Sequence, residues 1–169
     1  VDYQAKSIKA QMRKRFRAER EFLVVDSNWE HLIQSQEISQ ANVIASYISY
    51  GLEPDTKQLN EKLSQLGKKL LTPKMLPDKD LEWRTADNQI YTGKIDVIIL
   101  PALHIDRNGN RLGQGGGSYD RALARTEAWR VALVYPGELS SEEIPVESHD
   151  QKVNAAATAE ILVRFTTPN

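Results

Sequence analysis

Residues 106–120 read Asp106-Arg107-Asn108-Gly109-Asn110-Arg111-Leu112-Gly113-Gln114-Gly115-Gly116-Gly117-Ser118-Tyr119-Asp120. Gly113, Gly115, Gly116 and Gly117 put four glycines within five positions, which costs conformational entropy and leaves little side chain to pack. Such a cost is offset where main-chain N–H groups must come close to an anion. The segment leads into a predicted helix, whose free N–H groups and positive dipole end favour phosphate. Arg111 can add a bidentate contact. Asp120, in the first helical turn, can hold a magnesium ion bridging phosphate oxygens. A flexible surface turn has the same composition, with Asp120 merely complementing the helix dipole, and both readings stay open at this point. Two familiar phosphate motifs are absent. Walker A needs Lys-Ser or Lys-Thr after its second glycine, and none follows. A dinucleotide fingerprint needs its third glycine elsewhere and its loop directly after a strand.

The elements that must position this loop are read from periodicity. Residues 5–22 contain no Gly or Pro and predict a helix, with Ala5, Ile8, Met12 and Phe16 at helical spacing as an apolar stripe. Lys6, Lys9, Arg13, Arg17 and Arg20 form a basic stripe beside it, expected to be solvated at Arg17 and Arg20. A second helix is expected over 28–36 with Ser27 as its N-cap. Val, Ile and Tyr at 42–49 predict a buried strand. After Gly51-Leu52-Glu53-Pro54, Asp55 or Thr56 caps a helix that stops at Gly67. Strands are predicted at 69–74, 95–101, 130–135 and 160–165, with a helix over 119–126. The run at 95–101 is of the kind that parallel sheets bury on both faces. Alternating strands and helices predict an α/β fold: an open, mostly parallel sheet with helices on both faces, a Rossmann-like three-layer arrangement with the glycine loop at the carboxyl ends of the strands.

Nothing divides the 169 residues, so 1–169 are expected to form a single domain. Hydrophobic residues at 40% and charged residues at 27% are ordinary globular values. The chain has no cysteine, which excludes disulfides and thiolate chemistry. No apolar run approaches a membrane span, and the charged N-terminal stretch does not read as a signal peptide. A cytoplasmic protein with no membrane partner is expected. A net charge of −1 argues against general nucleic-acid binding.

Strand 96–101, Asp106, Gly109-Asn110-Arg111-Leu112-Gly113, Gly115, Gly117 and Tyr119-Asp120 together resemble the signature of the 5-formyltetrahydrofolate cyclo-ligases. Ile144-Pro145-Val146 with His149-Asp150-Gln151-Lys152-Val153 is similar to that family's C-terminal motif. Tyr47 to Glu53 with Thr56 resembles its first strand and substrate loop, and the basic helix stands where the family has one. The resemblance implies an ATP-dependent ligase of one-carbon metabolism that cyclises 5-formyltetrahydrofolate to 5,10-methenyltetrahydrofolate. In such enzymes the formyl oxygen attacks the γ-phosphate of ATP, giving an iminophosphate, and N10 then closes the ring as phosphate leaves.

By position, Arg111 and Tyr119 would be catalytic. Lys6, Lys9, Arg111, Leu112, Gly113, Gln114, Gly115, Gly116, Gly117, Ser118 and Tyr119 would bind ATP. Ile48, Glu53, Gln114, Gly115, Gly116, Gly117 and Ser118 would bind the folate, Glu53 gripping the pterin. Asp120 and Asp150 would hold Mg2+. A monomer is expected, with no nucleic-acid partner. Tyr50 and Trp83 can stack on a flat ring or serve in the core. His104 and His149 are assigned no catalytic role. The chain departs from the family pattern at Ser118, where many members have tyrosine, and at Gln114 and Gly116, basic in some. Its segment 84–94 is shorter than usual. The rival functions are a sugar-phosphate or acyl-CoA-type enzyme on a similar sheet, and a non-catalytic nucleotide-binding protein.

Overall fold

The computed structural model describes residues 2–165. The elements run α1 (Asp2–Arg20), α2 (Glu30–Ile33), α3 (Gln36–Gln40), β1 (Val43–Ala45), α4 (Lys57–Gln65), β2 (Lys69–Met75), β3 (Leu81–Arg84), β4 (Val97–Pro101), β5 (His104–Ile105), β6 (Arg111–Leu112), α5 (Ser118–Ala124), β7 (Trp129–Leu133), β8 (Ala155–Ala157) and β9 (Leu162–Arg164). Seven strands form one sheet in the order β3-β2-β1-β4-β7-β8-β9. The five inner strands are parallel, and β3 and β9 run antiparallel at the edges. The chain moves outward in one direction from β1 to β2 and in the other from β4 to β7, so the topological switch lies between β1 and β4. Carboxyl ends of strands at such a point are where open α/β sheets bind ligands.

Both faces of the sheet are covered. Leu32, Ile38, Leu59 and Leu63 from α2, α3 and α4 pack with Ile44, Val97, Ile99 and Val131 on one face. Leu123 of α5 packs with Leu71, Ile98, Leu100 and Ala132 on the other. The near-continuous burial of Val97–Leu100 follows from that two-sided cover. The α1 helix joins neither layer. Met12 and Phe16 pack with Leu103, Leu112 and Ile144, which lays the helix over the loops at the carboxyl end of β4. Among the described residues no helix is long and apolar enough to cross a membrane.

Several local expectations need correction. The helix expected over 28–36 is two short ones, because Ser35 caps α3 by accepting the Ile38 N–H. Ser27 caps neither; its hydroxyl accepts the Trp29 N–H in a turn. The strand expected over 42–49 stops at Ala45, where Tyr47 turns inward to donate to Pro54 O at 2.9 Å. At the end of α4, Gly67 has φ +81°. The Lys68 N–H reaches Leu63 O and the Gly67 N–H reaches Ser64 O, the reciprocal pair that ends a helix on glycine. Strand β3 follows a tight turn at Leu76–Asp80 and was not expected, nor was β8. Three alanines carry little strand signal, yet their small side chains are fully buried between the layers.

Candidate active site

A cleft of about 920 Å3 opens over the carboxyl ends of β1, β2 and β4. Its walls are the loop 113–118 with the start of α5, residues 47–53 after β1, the end of β2, one face of α1, and residues 147–151. Lys6, Lys9, Ile48, Glu53, Arg111, Gly113, Gln114, Gly115, Gly116, Gly117, Ser118, Tyr119, Asp120 and Asp150 all line it.

The glycine loop is built on the β5–β6 hairpin. Asp106, fully buried, ties that turn by accepting the Asn108 and Asn110 N–H groups and the Asn110 side-chain amide. It also takes the Ile144 N–H, which fastens the C-terminal segment to the hairpin. Gly109 has φ +80°, and a Cβ there would stand 2.8 Å from Val153 O. Only glycine satisfies both conditions.

Beyond the hairpin, arginines hold the loop by its carbonyls. Arg13 Nε donates to Gly113 O at 2.8 Å, an Arg17 NH2 group to Gln114 O at 3.2 Å, and an Arg121 NH2 group to Gly116 O at 3.1 Å. No acceptor among the described residues takes the N–H groups of Gly113–Ser118. The stretch therefore presents main-chain donors without partners on the wall of a cleft. Arg111 donates to Pro101 O and stacks over Tyr119, while its Nε is buried without a partner among the described residues. A Cβ on Gly113 would lie 2.8 Å from that guanidinium, so the missing side chain makes room for the arginine. Ser118 Oγ is likewise buried and unpartnered in the wall. Burial holds the Tyr119 hydroxyl far above its ordinary pKa despite Arg111, so it stays protonated at neutral pH.

Opposite the loop, one buried ammonium serves two carboxylates. Lys9 Nζ is 2.6 Å from Glu147 and 2.7 Å from Asp150. Burial alone would lower the Lys9 pKa, but the hydrogen bonds to Asp150 and Glu147 outweigh it and leave it above the usual lysine value. For Asp150, burial pushes upward and the Lys9 contact, with the Glu147 N–H, brings the carboxyl below its usual range. Asp120, His149 and Asp150 each place a ligand atom within 4.8 Å of the others. One Asp150 oxygen is taken by Lys9 and one Asp120 oxygen by the Gln151 N–H, leaving one oxygen on each carboxylate, that of Asp150 3.5 Å from His149 Nε2. That donor set fits magnesium, which takes one or two protein carboxylates and completes its shell with phosphate and water.

The third wall is apolar with a single acid. Ile48 is 72% exposed on the cleft. Glu53 accepts the Tyr50 N–H at 2.8 Å, yet burial leaves its carboxyl above the ordinary value. The loop carrying them is pinned by Thr56 Oγ1 to Tyr47 O, and by the Tyr135 hydroxyl to Leu52 O at 2.7 Å.

Some positions fall elsewhere than expected. Leu112 is fully buried against Met12 and Phe16; it holds the hairpin down and is absent from the cleft wall. Lys9 lines the cleft, but its ammonium is engaged by the two acids, so its reach toward a phosphate is taken up. Arg20 is not on a solvated face. It is 4% exposed and meets both Glu138 oxygens at 2.8 Å. Arg17 is exposed as expected, but binds Gln114. His149, given no role from the sequence, stands in one cluster with Asp120 and Asp150. His104 stacks on Phe16 with both ring nitrogens against main-chain carbonyls. Trp83 packs against the core, Tyr50 is exposed outside the cleft lining, and no residue of 84–94 reaches the cleft. Arg13 was read only as part of the basic stripe, and Arg121 and Glu147 were not read at all, because their partners lie far along the chain or on main-chain carbonyls.

The model of the 5-formyltetrahydrofolate cyclo-ligase family matches residues 5–89 and 84–159. A Mycolicibacterium smegmatis protein named 5-formyltetrahydrofolate cyclo-ligase is 34% identical over 133 residues, covering 63% of this chain and 68% of that protein. A Haemophilus influenzae protein of the same name is 29% identical over 149 residues, covering 72% and 78%. Among solved structures, the Aquifex aeolicus 5,10-methenyltetrahydrofolate synthetase superposes with a TM-score of 0.77 at 21% identity, over 96% of this chain and 95% of that one. At that identity the likeness speaks for the fold. Matched by the family model over most of its length, the chain belongs to the 5-formyltetrahydrofolate cyclo-ligase family, a family of ligases.

Proposed function

We propose that this protein uses MgATP to convert 5-formyltetrahydrofolate into 5,10-methenyltetrahydrofolate. The formyl oxygen attacks the γ-phosphorus and ADP leaves; N10 then attacks the activated carbon, and the ring closes as inorganic phosphate departs. Chemistry of this kind asks little of side chains as acids or bases and much of charge placement and alignment. The observation that supports the reading is the loop 113–118, where arginines hold the carbonyls of Gly113, Gln114 and Gly116 while its N–H groups lack acceptors among the described residues.

In this reading the N–H groups of Gly113, Gln114, Gly115, Gly116, Gly117 and Ser118 receive phosphate oxygens, with Arg111 and the exposed Lys6 adding charge. Lys9 acts through Asp150, holding that carboxylate ionised and oriented. Asp120 and Asp150 hold Mg2+, which when bound neutralises the phosphates and keeps them aligned. Tyr119, protonated and packed under Arg111, can donate a hydrogen bond at the junction of the two ligands. Ile48 lies against the pterin, and Glu53 accepts from its N–H groups, which offset the burial that raises its pKa. The Ser118 hydroxyl, without a partner in the free protein, gains one from the folate or the nucleotide.

An absorbance assay for methenyltetrahydrofolate tests this directly. Product should form from 5-formyltetrahydrofolate only when MgATP is present. Product without ATP would overturn the phosphorylation step, and no product under either condition would overturn the assignment.

A further inference from the structure

We propose that Lys79, at the tip of the turn joining β2 to β3, is a phosphate-contacting residue that supplies the glycine loop with a cation on the side away from α1. The proposal rests on the nucleotide reading above. Between Gln114 and Ser118 the loop has no cationic side chain of its own. Arg13 and Arg17 approach it from α1, and Arg121 is committed to carbonyl oxygens.

The turn is fastened to the loop by one guanidinium. An Arg121 NH2 group donates to Lys79 O at 3.0 Å and to Gly116 O at 3.1 Å, which fixes the two backbones relative to each other. Arg125, just past the end of α5, ties the same turn to that helix through both Asp80 oxygens and Leu81 O. Lys79 itself sits at φ +69°, a conformation that side-chain-bearing residues rarely adopt. Its stem runs along the bare side of Gly116, with Cδ 3.9 Å from where a Cβ on Gly116 would stand. No carboxylate among the described residues pairs with its ammonium. An exposed lysine without a carboxylate partner among the described residues is thus held in an unfavourable backbone conformation with its stem beside Gly116, outside the lining of the cleft itself but one side-chain length from the loop.

The same geometry supplies the test. Gly116 is not at positive φ, and a Cβ there meets nothing closer than 3.7 Å, so a lysine can be moved from position 79 to position 116. Wild type, Lys79→Gly and Lys79→Gly/Gly116→Lys are titrated by calorimetry with MgATP and, separately, with 5-formyltetrahydrofolate, and each is melted. Lys79→Gly should bind MgATP about tenfold more weakly, the loss of one good charged contact. Its folate affinity should be unchanged and its melting temperature equal or higher, because glycine relieves the positive φ. The double variant should return to within about threefold of wild type. Wild-type MgATP affinity in Lys79→Gly, or a double variant no better than the single one, overturns the role of Lys79 while the nucleotide reading stands. A wild-type protein that binds no MgATP and forms no methenyl product removes that reading, and Lys79's role goes with it.

Discussion

Two buried cations of α1 meet acids in opposite ways. Arg20 is closed off: both Glu138 oxygens and Ala102 O receive its donors, and Glu138 also takes the Tyr135 N–H. Lys9 is left open. One ammonium is shared by Glu147 and Asp150, one Glu147 oxygen has no partner among the described residues, and all three residues border the cleft. Helix, sign of charge and depth are the same, yet the first site is a saturated pin and the second keeps surplus negative charge beside a ligand space. Saturation is what separates an anchor from a site, since an unsatisfied buried acid persists only where something else completes it.

The severest way to break the contrast is Glu138→Ala, which strands a buried guanidinium. It should cost about 3–5 kcal/mol of stability in urea unfolding; a loss under about 1 kcal/mol would mean that the pair is no anchor. Next is Asp120→Asn on the open side. The amide oxygen can still accept the Gln151 N–H, so the unfolding midpoint should hold while turnover drops about 10²–10³-fold, the scale of removing one transition-state charge contact. Unchanged turnover would take the metal role from Asp120.

Smaller and sharper is the acid limb of stability. Asp150 is lower in the folded state than in the unfolded one, so its contribution is present above about pH 4 and fades as pH falls through the folded value. Lys9→Met should remove that limb and reverse its slope, because two buried acids without a cation are relieved by protonation. Identical profiles between pH 2 and 6 would contradict the coupling. The smallest effect is expected at Glu53. Its raised pKa means that the unfolded chain ionises first as pH rises, so the folded acid destabilises the ligand-free protein at neutral pH. Glu53→Gln should gain up to about 1 kcal/mol at pH 7, the gain closing below about pH 4, while folate affinity falls. A variant that is less stable at pH 7 would show that the carboxylate is needed by the fold.

How much of this was legible follows from distance along the chain. The loop 106–120, its glycines, Arg111 and Asp120 could be read because chemistry and spacing are concentrated in one contiguous stretch. The parallel sheet was legible from its β-branched runs, and β8 was not, since Ala155, Ala156 and Ala157 are strand only because the layers leave room for nothing larger. Lys9 and Arg20 show the sharper limit. Sequence registers their charge, but their acids are 141 and 118 residues away, and no local pattern distinguishes a lysine bound to Asp150 from one in water. Arg13, which holds the loop from 100 residues away, was hidden for the same reason.

That distance has a consequence for synthesis. The α1 helix leaves the ribosome well before the backbone and acid groups it must dock on, which lie 82 to 141 residues further along, at Ala102 and Asp150. Until those residues emerge it has no surface to settle on, and helices of this length without tertiary packing are marginal. Its many charges suit that interval, because a waiting segment with only a narrow greasy strip gives chaperones and neighbouring chains little to seize. The cradle consequently forms only once residues as far as Asp150 are available, so a product truncated before them should not sequester nucleotide.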